Sequence, residues 1–499
     1  MHRAPVVPGF HPDPSICRVG DTYWMVCSTF EYAPGVPLFR STDLRAWEKV
    51  GHVLADPAHH DVTAAGPSGG ISAPTLRHHG GQFWMITTNH VDGQGMLLTR
   101  AEDPLGTWTT PVRIPGLPGL DPDLAWDSDG TLLITYPAFG AEGPLGIVQQ
   151  AVDPLTGRIL TDMRPVWQGT GGKFPEGPHL YEVDGLWYLL IAEGGTERGH
   201  AVTIARGPSP AGPFEPCPWN PLLTHRGTDL PVQSTGHADL IQREDGSWAI
   251  VFHGVRPRGG SPEWHVLGRE TFAAEIEWVD GWPRLGEWLT PAVSSASVAE
   301  LDDEVLPASW ISPRVFPGEL LKRKSDGWSL TALDADPASE NIAFVGRRQE
   351  HLFASSRVTV DAARGVGGLS VRLEALHHFD LEVRDGAVRA IAQIGPARTT
   401  LGEARPGVDL VDLEIRLVRA EGDYTSSRRG PDIIVGGLIA EDGSFQELGR
   451  LDGRYVSTEV AGGMTGRLIG VWCSEGVLGV SDFYYVGADD PDRLPAWPS

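Results

Sequence analysis

Asp13-Pro14-Ser15-Ile16, then Gly20-Asp21, then Tyr23-Trp24-Met25-Val26, is the stretch that decides the fold, because it comes back. The second copy is Ala73-Pro74-Thr75-Leu76, Gly80-Gly81, Phe83-Trp84-Met85-Ile86. The third is Asp121-Pro122-Asp123-Leu124, Asp129-Gly130, Leu132-Leu133-Ile134. The fourth is Glu176-Gly177-Pro178-His179-Leu180, Asp184-Gly185, Trp187-Tyr188-Leu189-Leu190, and the fifth is Gly236-His237-Ala238-Asp239-Leu240, Asp245-Gly246, Trp248-Ala249-Ile250-Val251. Each copy is an apolar strand, a turn whose glycines accept positive φ, and an aromatic strand, which together make a hairpin. Further strand-like sequence follows, as in Pro37-Leu38-Phe39-Arg40 and Val202-Thr203-Ile204-Ala205. Units of about 48 to 61 residues with four strands apiece are propeller blades, and five units predict a five-bladed β-propeller.

The surrounding composition agrees. In 499 residues there are 62 Gly and 41 Pro, spread along the chain, with 41% hydrophobic residues, which suits short strands and turns and excludes a disordered or collagen-like chain. A chain of this length exceeds one hydrophobic core. Thirteen of the 17 Trp and 14 of the 17 His lie before residue 290. Beyond Pro291-Ala292-Val293-Ser294-Ser295 the pattern changes to alternation, as in Leu369-Ser370-Val371-Arg372-Leu373 and Phe379-Asp380-Leu381-Glu382-Val383, the period of half-buried antiparallel strands. The expected division is a propeller over 1–292, a linker over 293–312, and a β-sandwich over 313–499. The chain is therefore all-β.

Charge narrows the partners. A formal charge of −25 disfavours nucleic acid and anionic membranes and suits a small neutral substrate. Cys17, Cys27, Cys217 and Cys473 form neither a disulfide framework nor a zinc spacing. The opening residues contain no apolar signal-peptide core, so a cytoplasmic protein is expected, and assembly into a homo-oligomer is allowed.

The innermost strands of a propeller run along its axis, so residues at one phase of the repeat converge however far apart they lie. That phase holds Asp13, Asp121 and Glu176, with His237 in the fifth copy and small residues, Ser72 and Ala73, in the second. One Asp-Pro alone is an ordinary strand-opening turn. Three carboxylates at one phase repel one another and cost desolvation, which makes them a site. A carboxylate pair tuned by a third is what acid–base hydrolysis of a glycosidic bond requires. A cation is the other use of such a cluster, with His237 its candidate ligand. No cofactor is required, and a structural Ca2+ is allowed, although no loop has calcium-ligand spacing. Asp123 competes with Asp121, since alternation puts both on one face. Trp24, Trp84, Trp187 and Trp248 read as blade packing, and His377-His378 as surface sequence.

Val7-Pro8-Gly9-Phe10-His11-Pro12-Asp13-Pro14-Ser15-Ile16 resembles the opening motif of glycoside hydrolase family 43. Phe174-Pro175-Glu176-Gly177-Pro178-His179-Leu180-Tyr181 and Ala192-Glu193-Gly194-Gly195-Thr196 resemble its acid-bearing segment. Gly119-Leu120-Asp121-Pro122-Asp123-Leu124, Thr235-Gly236-His237-Ala238-Asp239 and His253-Gly254-Val255-Arg256-Pro257 are similar as well, and the later part resembles the concanavalin A-like sandwich appended to the family's β-xylosidases. The resemblance implies an inverting, exo-acting hydrolase of β-xylosides, α-L-arabinofuranosides or both. It makes Asp13 the general base, Glu176 the general acid, and Asp121 the group that holds the acid's pKa, raising it by like-charge repulsion. His237 and Arg256 would line the sugar pocket, and Phe30 would form part of its wall. One departure stands out: many β-xylosidases of the family carry Trp where this chain has Ser72, so the pocket is expected to be wider or to borrow another aromatic. A non-catalytic carbohydrate-binding propeller and a retaining fructan- or sucrose-type hydrolase are the competing readings. The latter would need its carboxylates roughly 5–5.5 Å apart, against roughly 6.5–9.5 Å for inversion.

Overall fold

The computed structural model describes residues 3–91, 95–140, 143–291, 295–301, 305–325, 327–422 and 429–497. Five four-stranded antiparallel sheets follow one another in the chain, each with its strands in sequence order, and they are the five blades. Their innermost strands are Ser15–Val19, Ile71–His79, Asp123–Trp126, Glu176–Val183 and Gln233–Gln242. The two-residue turns expected from Gly and Asp-Gly close the hairpins of blades 1, 2 and 4, where Val19 faces Thr22, His79 faces Gln82 and Val183 faces Leu186. In blades 3 and 5 the loop is longer: Trp126 pairs with Leu132 and Gln242 with Trp248. Trp24 and Trp84 are buried in blade cores, and Trp187 and Trp248 pack against them partly exposed.

One backbone feature repeats at the head of every innermost strand. Asp13, Ala73, Asp121, Gly177 and His237 occupy equivalent places and have φ of 56°, 44°, 45°, 54° and 48°. In blades 2, 4 and 5 the ladder skips these positions, with register breaks at Ser72/Thr75, Glu176/His179 and Gly236/Asp239. In blades 1 and 3 pairing starts only two residues later, at Ser15 and Asp123. A proline follows in four of the five, and its missing N–H is harmless where the ladder is already open. Left-handed φ at a non-glycine costs about 1–3 kcal/mol and concentrates at functional sites.

The second domain is a sandwich built on one 21-residue strand, Leu468–Ala488. Its first half pairs with Gly365–Glu374 and Ala343–Arg348, and its second half with Phe353–Asp361 and Gly327–Thr331. The core between the sheets includes Leu369, Val371, Leu381, Leu413, Ile415 and Val471. Two expectations change here. The stretch expected as a linker contains the strand Ser295–Glu300, which pairs with Phe483–Ala488, so the sandwich begins inside it. His378 is no surface residue. It is fully buried with its Nδ1 2.9 Å from Asp380, because the polar side of these strands is covered too.

The domains are packed together. Phe10, Phe30 and Tyr32 of the propeller share one apolar cluster with Ile311, Ile342, Phe344, Leu468 and Trp472. Ser312-Pro313 pairs with Tyr32-Ala33, and Arg348 Nε donates to the Phe10 carbonyl at 2.7 Å. No helix among the described residues is long and apolar enough to cross a membrane.

Candidate active site

The left-handed kink turns the side chains of Asp13, Asp121 and His237 toward the axis, and Glu176 stands one residue before the same kink in blade 4. All four expected residues therefore meet at one end of the axis. Asp13 is buried, and each of its carboxylate oxygens accepts a hydrogen bond. Ser28 Oγ donates to its Oδ2 at 2.6 Å and Arg269 Nη1 to its Oδ1 at 2.8 Å. His237 Nδ1 lies 3.5 Å from Oδ1, and His253 Nδ1 lies 3.1 Å from it while accepting from the Asp13 N–H at 3.2 Å. Burial alone would push the Asp13 carboxyl up, but Arg269 and the two histidines outweigh it and hold it well below the usual carboxylate range. His237 and His253 are themselves brought down, to about 3 and about 4, chiefly by burial, so both imidazoles are neutral near pH 7.

The other two carboxyls go the opposite way. Glu176 is pushed up to about 7, first by burial and then by the charge on Asp13. Asp121 is raised well above its ordinary value by burial, then by Glu176 and Asp13. Asp13 thus adds its like charge to Glu176, and Asp121 and Glu176 repel one another as a buried pair. Two buried carboxyls facing one ionised neighbour cannot both lose their protons cheaply, so the pair keeps a proton near neutrality.

Asp123 is not a rival for Asp121. The kink at Asp121 breaks the alternation, and Asp123 drops into a second polar layer one step down the axis. There Arg77 Nη2 donates to Asp123 Oδ1 at 2.8 Å, Arg77 Nη1 donates to Asp239 Oδ2 at 2.7 Å, and Asp123 Oδ2 accepts from the Leu180 N–H at 2.9 Å. Tyr181 donates its hydroxyl to Asp239, and Ser15 Oγ donates to the same carboxylate at 2.7 Å. Asp239 is brought down to about 2 because Arg77 outweighs the cost of burying it. This layer floors the site.

Arg256 does not line the sugar pocket. Its guanidinium grips Glu270 with two hydrogen bonds of 2.6 and 2.9 Å and Asp489 of the sandwich with a third of 2.6 Å. The arginine at the carboxylates is Arg269, which sequence reading missed. Besides Asp13, its Nη1 reaches Thr196 Oγ1 at 3.2 Å, while its Nε and Nη2 are buried with no protein partner among the described residues. Phe30 comes to the site through this residue, its ring lying 5.7 Å beneath the Arg269 guanidinium. Ser72 sits at the axis beside blade 1, its Oγ 2.7 Å from Nε2 of the exposed His90, so an imidazole stands near the place where a Trp was missing. Glu193, read in the sequence only as part of the 192–196 motif, has a role of its own. It accepts from the N–H groups of Thr170 and Gly172 and from the hydroxyls of Thr170 and Thr203, which pins the turn leading into Glu176.

For a cation, the described residues offer Asp13, His237 and His253, whose ligand atoms lie within 4.8 Å of one another. Calcium takes six to eight oxygen ligands, and two imidazoles with one carboxylate already held by Arg269 fit it poorly.

A cavity of about 350 Å3 opens beside Arg269 and Thr196, and the sandwich completes its wall with Thr458, Glu459, Gly463 and Met464. That loop is tied to the propeller at both ends: Met464 N donates to Ser68 Oγ at 2.8 Å, and Glu459 pairs with His265 at 2.6 Å.

The profile of glycosyl hydrolases family 43 matches residues 2–283. The chain is 36% identical over 504 residues to a non-reducing end α-L-arabinofuranosidase of Bacteroides ovatus, covering 95% of this chain and 91% of that one. It is 34% identical over 517 residues to a xylosidase/arabinosidase of Butyrivibrio fibrisolvens, covering 94% and 95%. The crystal structure of a xylan β-1,4-xylosidase from Bacillus halodurans superposes with a TM-score of 0.86 at 26% identity, over 97% of this chain and all of the other. With a carboxylate-lined axis on a five-bladed propeller, and with relatives matching from end to end, the chain belongs to glycosyl hydrolases family 43 and is a glycosidase.

Proposed function

We propose that the enzyme is an inverting exo-hydrolase that releases a terminal pentose, β-D-xylose or α-L-arabinofuranose, from short neutral oligosaccharides. The observation that carries its acid and base roles is the split in proton affinity on one axis, Asp13 far down and Glu176 up at about 7, and the pentose rests on the names of the relatives. A base must be ionised and an acid protonated at the same pH, and burial with an unequal supply of cations produces that split here. Asp13 removes a proton from the attacking water, using lone pairs left free by Ser28 and Arg269. Glu176 gives its proton to the leaving oxygen. Asp121, itself raised, keeps the buried pair from shedding that proton early. The unpartnered Nε and Nη2 of Arg269 are donors for sugar hydroxyls, and leaving them without a partner would cost about 1–3 kcal/mol each.

Both pentoses are retained because the relatives carry both names and because Ser72 supplies no flat platform. Nitrophenyl β-D-xyloside and α-L-arabinofuranoside assayed side by side would rank the two, and proton NMR of the first-formed sugar would report its anomeric configuration. Inverted product from either pentoside is expected. A retained anomer, or turnover of fructosides in place of pentosides, would overturn the assignment.

A further inference from the structure

A second cavity, of about 440 Å3, lies away from the axis where blade 5 meets the sandwich. Arg3, Arg256 and Arg258 line it from the propeller, and Asp489, Asp490 and Arg493 from the sandwich. Its charges do not balance. Arg256 is committed to Glu270 and Asp489. Arg493 pairs with Asp490 at 3.6 Å. Arg258 donates to the Leu352 carbonyl at 3.1 Å, and its nearest carboxylate, Asp432, stands 3.8 Å away. Both oxygens of Asp432 are taken by Arg467, at 2.7 and 3.1 Å. Arg3 has no carboxylate and no hydrogen-bond acceptor among the described residues; its guanidinium lies 4.1 Å over the ring of Trp288.

Two guanidiniums thus face one cavity, Arg3 with no carboxylate among the described residues and Arg258 with only a 3.8 Å contact to a carboxylate that Arg467 already holds. Both lie over aromatic rings, Arg3 over Trp288 and Arg258 at 4.9 Å over Phe353. Burial lowers the pKa of Arg258 to about 10 despite the pull of Asp432, in keeping with a cation short of a partner. In a chain of net charge −25, anions are repelled from most of the surface, which makes a cavity lined by four arginines and two aspartates a local and selective feature.

We propose that this cavity is an oxyanion-binding site, taking a carboxylate or phosphate group between Arg3 and Arg258 and so bridging the propeller to the sandwich. Guanidinium pairs recognise both groups through parallel N–H donors. The volume admits more than a bare phosphate, so the carboxylate of an acidic sugar and free phosphate are the two sources of the same chemistry. The site is separate from the catalytic carboxylates and does not depend on which pentose the enzyme releases.

The test is thermal unfolding of the full chain in phosphate or in glucuronate, each compared with chloride at matched ionic strength. The expected result is a saturable rise of several degrees in wild type with at least one of the two, lost in Arg3→Gln and in Arg258→Gln. A rise with phosphate alone identifies free phosphate as the source, and a rise with glucuronate alone an acidic sugar. Should Arg258→Gln fail to fold, the half-buried Arg3→Gln carries the comparison. No rise beyond chloride with either anion, or an undiminished rise in Arg3→Gln, overturns the proposal.

Discussion

Glu176 has to hold a proton that Asp13 has lost, and this sets what each substitution does. Replacing Glu176 by Ala should reduce hydrolysis of xylobiose by about 100-fold or more, the usual weight of general acid catalysis, and spare aryl glycosides whose leaving groups need no proton. Asp13→Ala should be severe for both. Equal losses on both substrates in Glu176→Ala would show the acid to be another group. The pH profile follows with a definite sign. Glu176 titrates at about 7, so kcat/KM for a poor leaving group should fall as pH rises through 7. With the activated substrate that alkaline limb should flatten, and a limb of equal steepness for both would contradict the role. Ser72 raises a separate question at this scale. Its hydroxyl is bonded to His90, and Ser72→Trp would trade that contact for an aromatic face worth about 1 kcal/mol against a sugar. The expected outcome is a changed ratio of xyloside to arabinofuranoside activity. An unchanged ratio and KM would place Ser72 outside the sugar site.

At the scale of the strand, the kink that opens each blade is what aims the catalytic groups. Gly177 shows its tolerance. A Cβ there would lie 2.8 Å from His237 Nε2, on a backbone with φ of 54°. Gly177→Ala should therefore displace His237 and the neighbouring Glu176, lowering kcat/KM at least tenfold and stability by about 1–3 kcal/mol. Wild-type kinetics in a folded Gly177→Ala protein would mean that the contact is slack. This element also explains what could be read in advance. The repeat placed Asp13, Asp121, Glu176 and His237 together because equivalent positions of one repeat share an axis. It could not separate Asp121 from Asp123, because two-residue alternation holds only in an unbroken ladder, and the ladder is broken there. Nor could it choose between Arg256 and Arg269, which lie close together in the chain. Their different fates depend on Asp489, more than two hundred residues away from either. Ser295–Glu300 reads as a linker for the same reason: its strand partner is at the far end of the chain.

For the molecule as a whole, the sandwich supplies part of the enzyme. It covers Phe10, Phe30 and Tyr32, it clamps Arg256 through Asp489, and its 458–464 loop walls the cavity beside Arg269. A chain ended near residue 300 would bare that aromatic cluster and leave Arg256 with Glu270 but without Asp489. Truncation should give an insoluble or inactive propeller, measured by recovery in the soluble fraction and by turnover of nitrophenyl xyloside. A soluble fragment with full activity would reduce the sandwich to an accessory.

The five matching kinks give the ring a pseudo-fivefold symmetry of backbone beneath an asymmetric set of side chains. Asp, Ala, Asp, Gly and His stand at equivalent sockets, and in blade 4 the catalytic side chain, Glu176, stands one residue before the socket. Chemistry on such a frame changes by exchanging what fills a socket, with the frame left as it is. Ala73 already has the left-handed conformation that a carboxylate at that place would adopt, so its blade is conformationally prepared for a titratable group that it does not carry. A carboxylate placed there would join the axial cluster without a change of backbone.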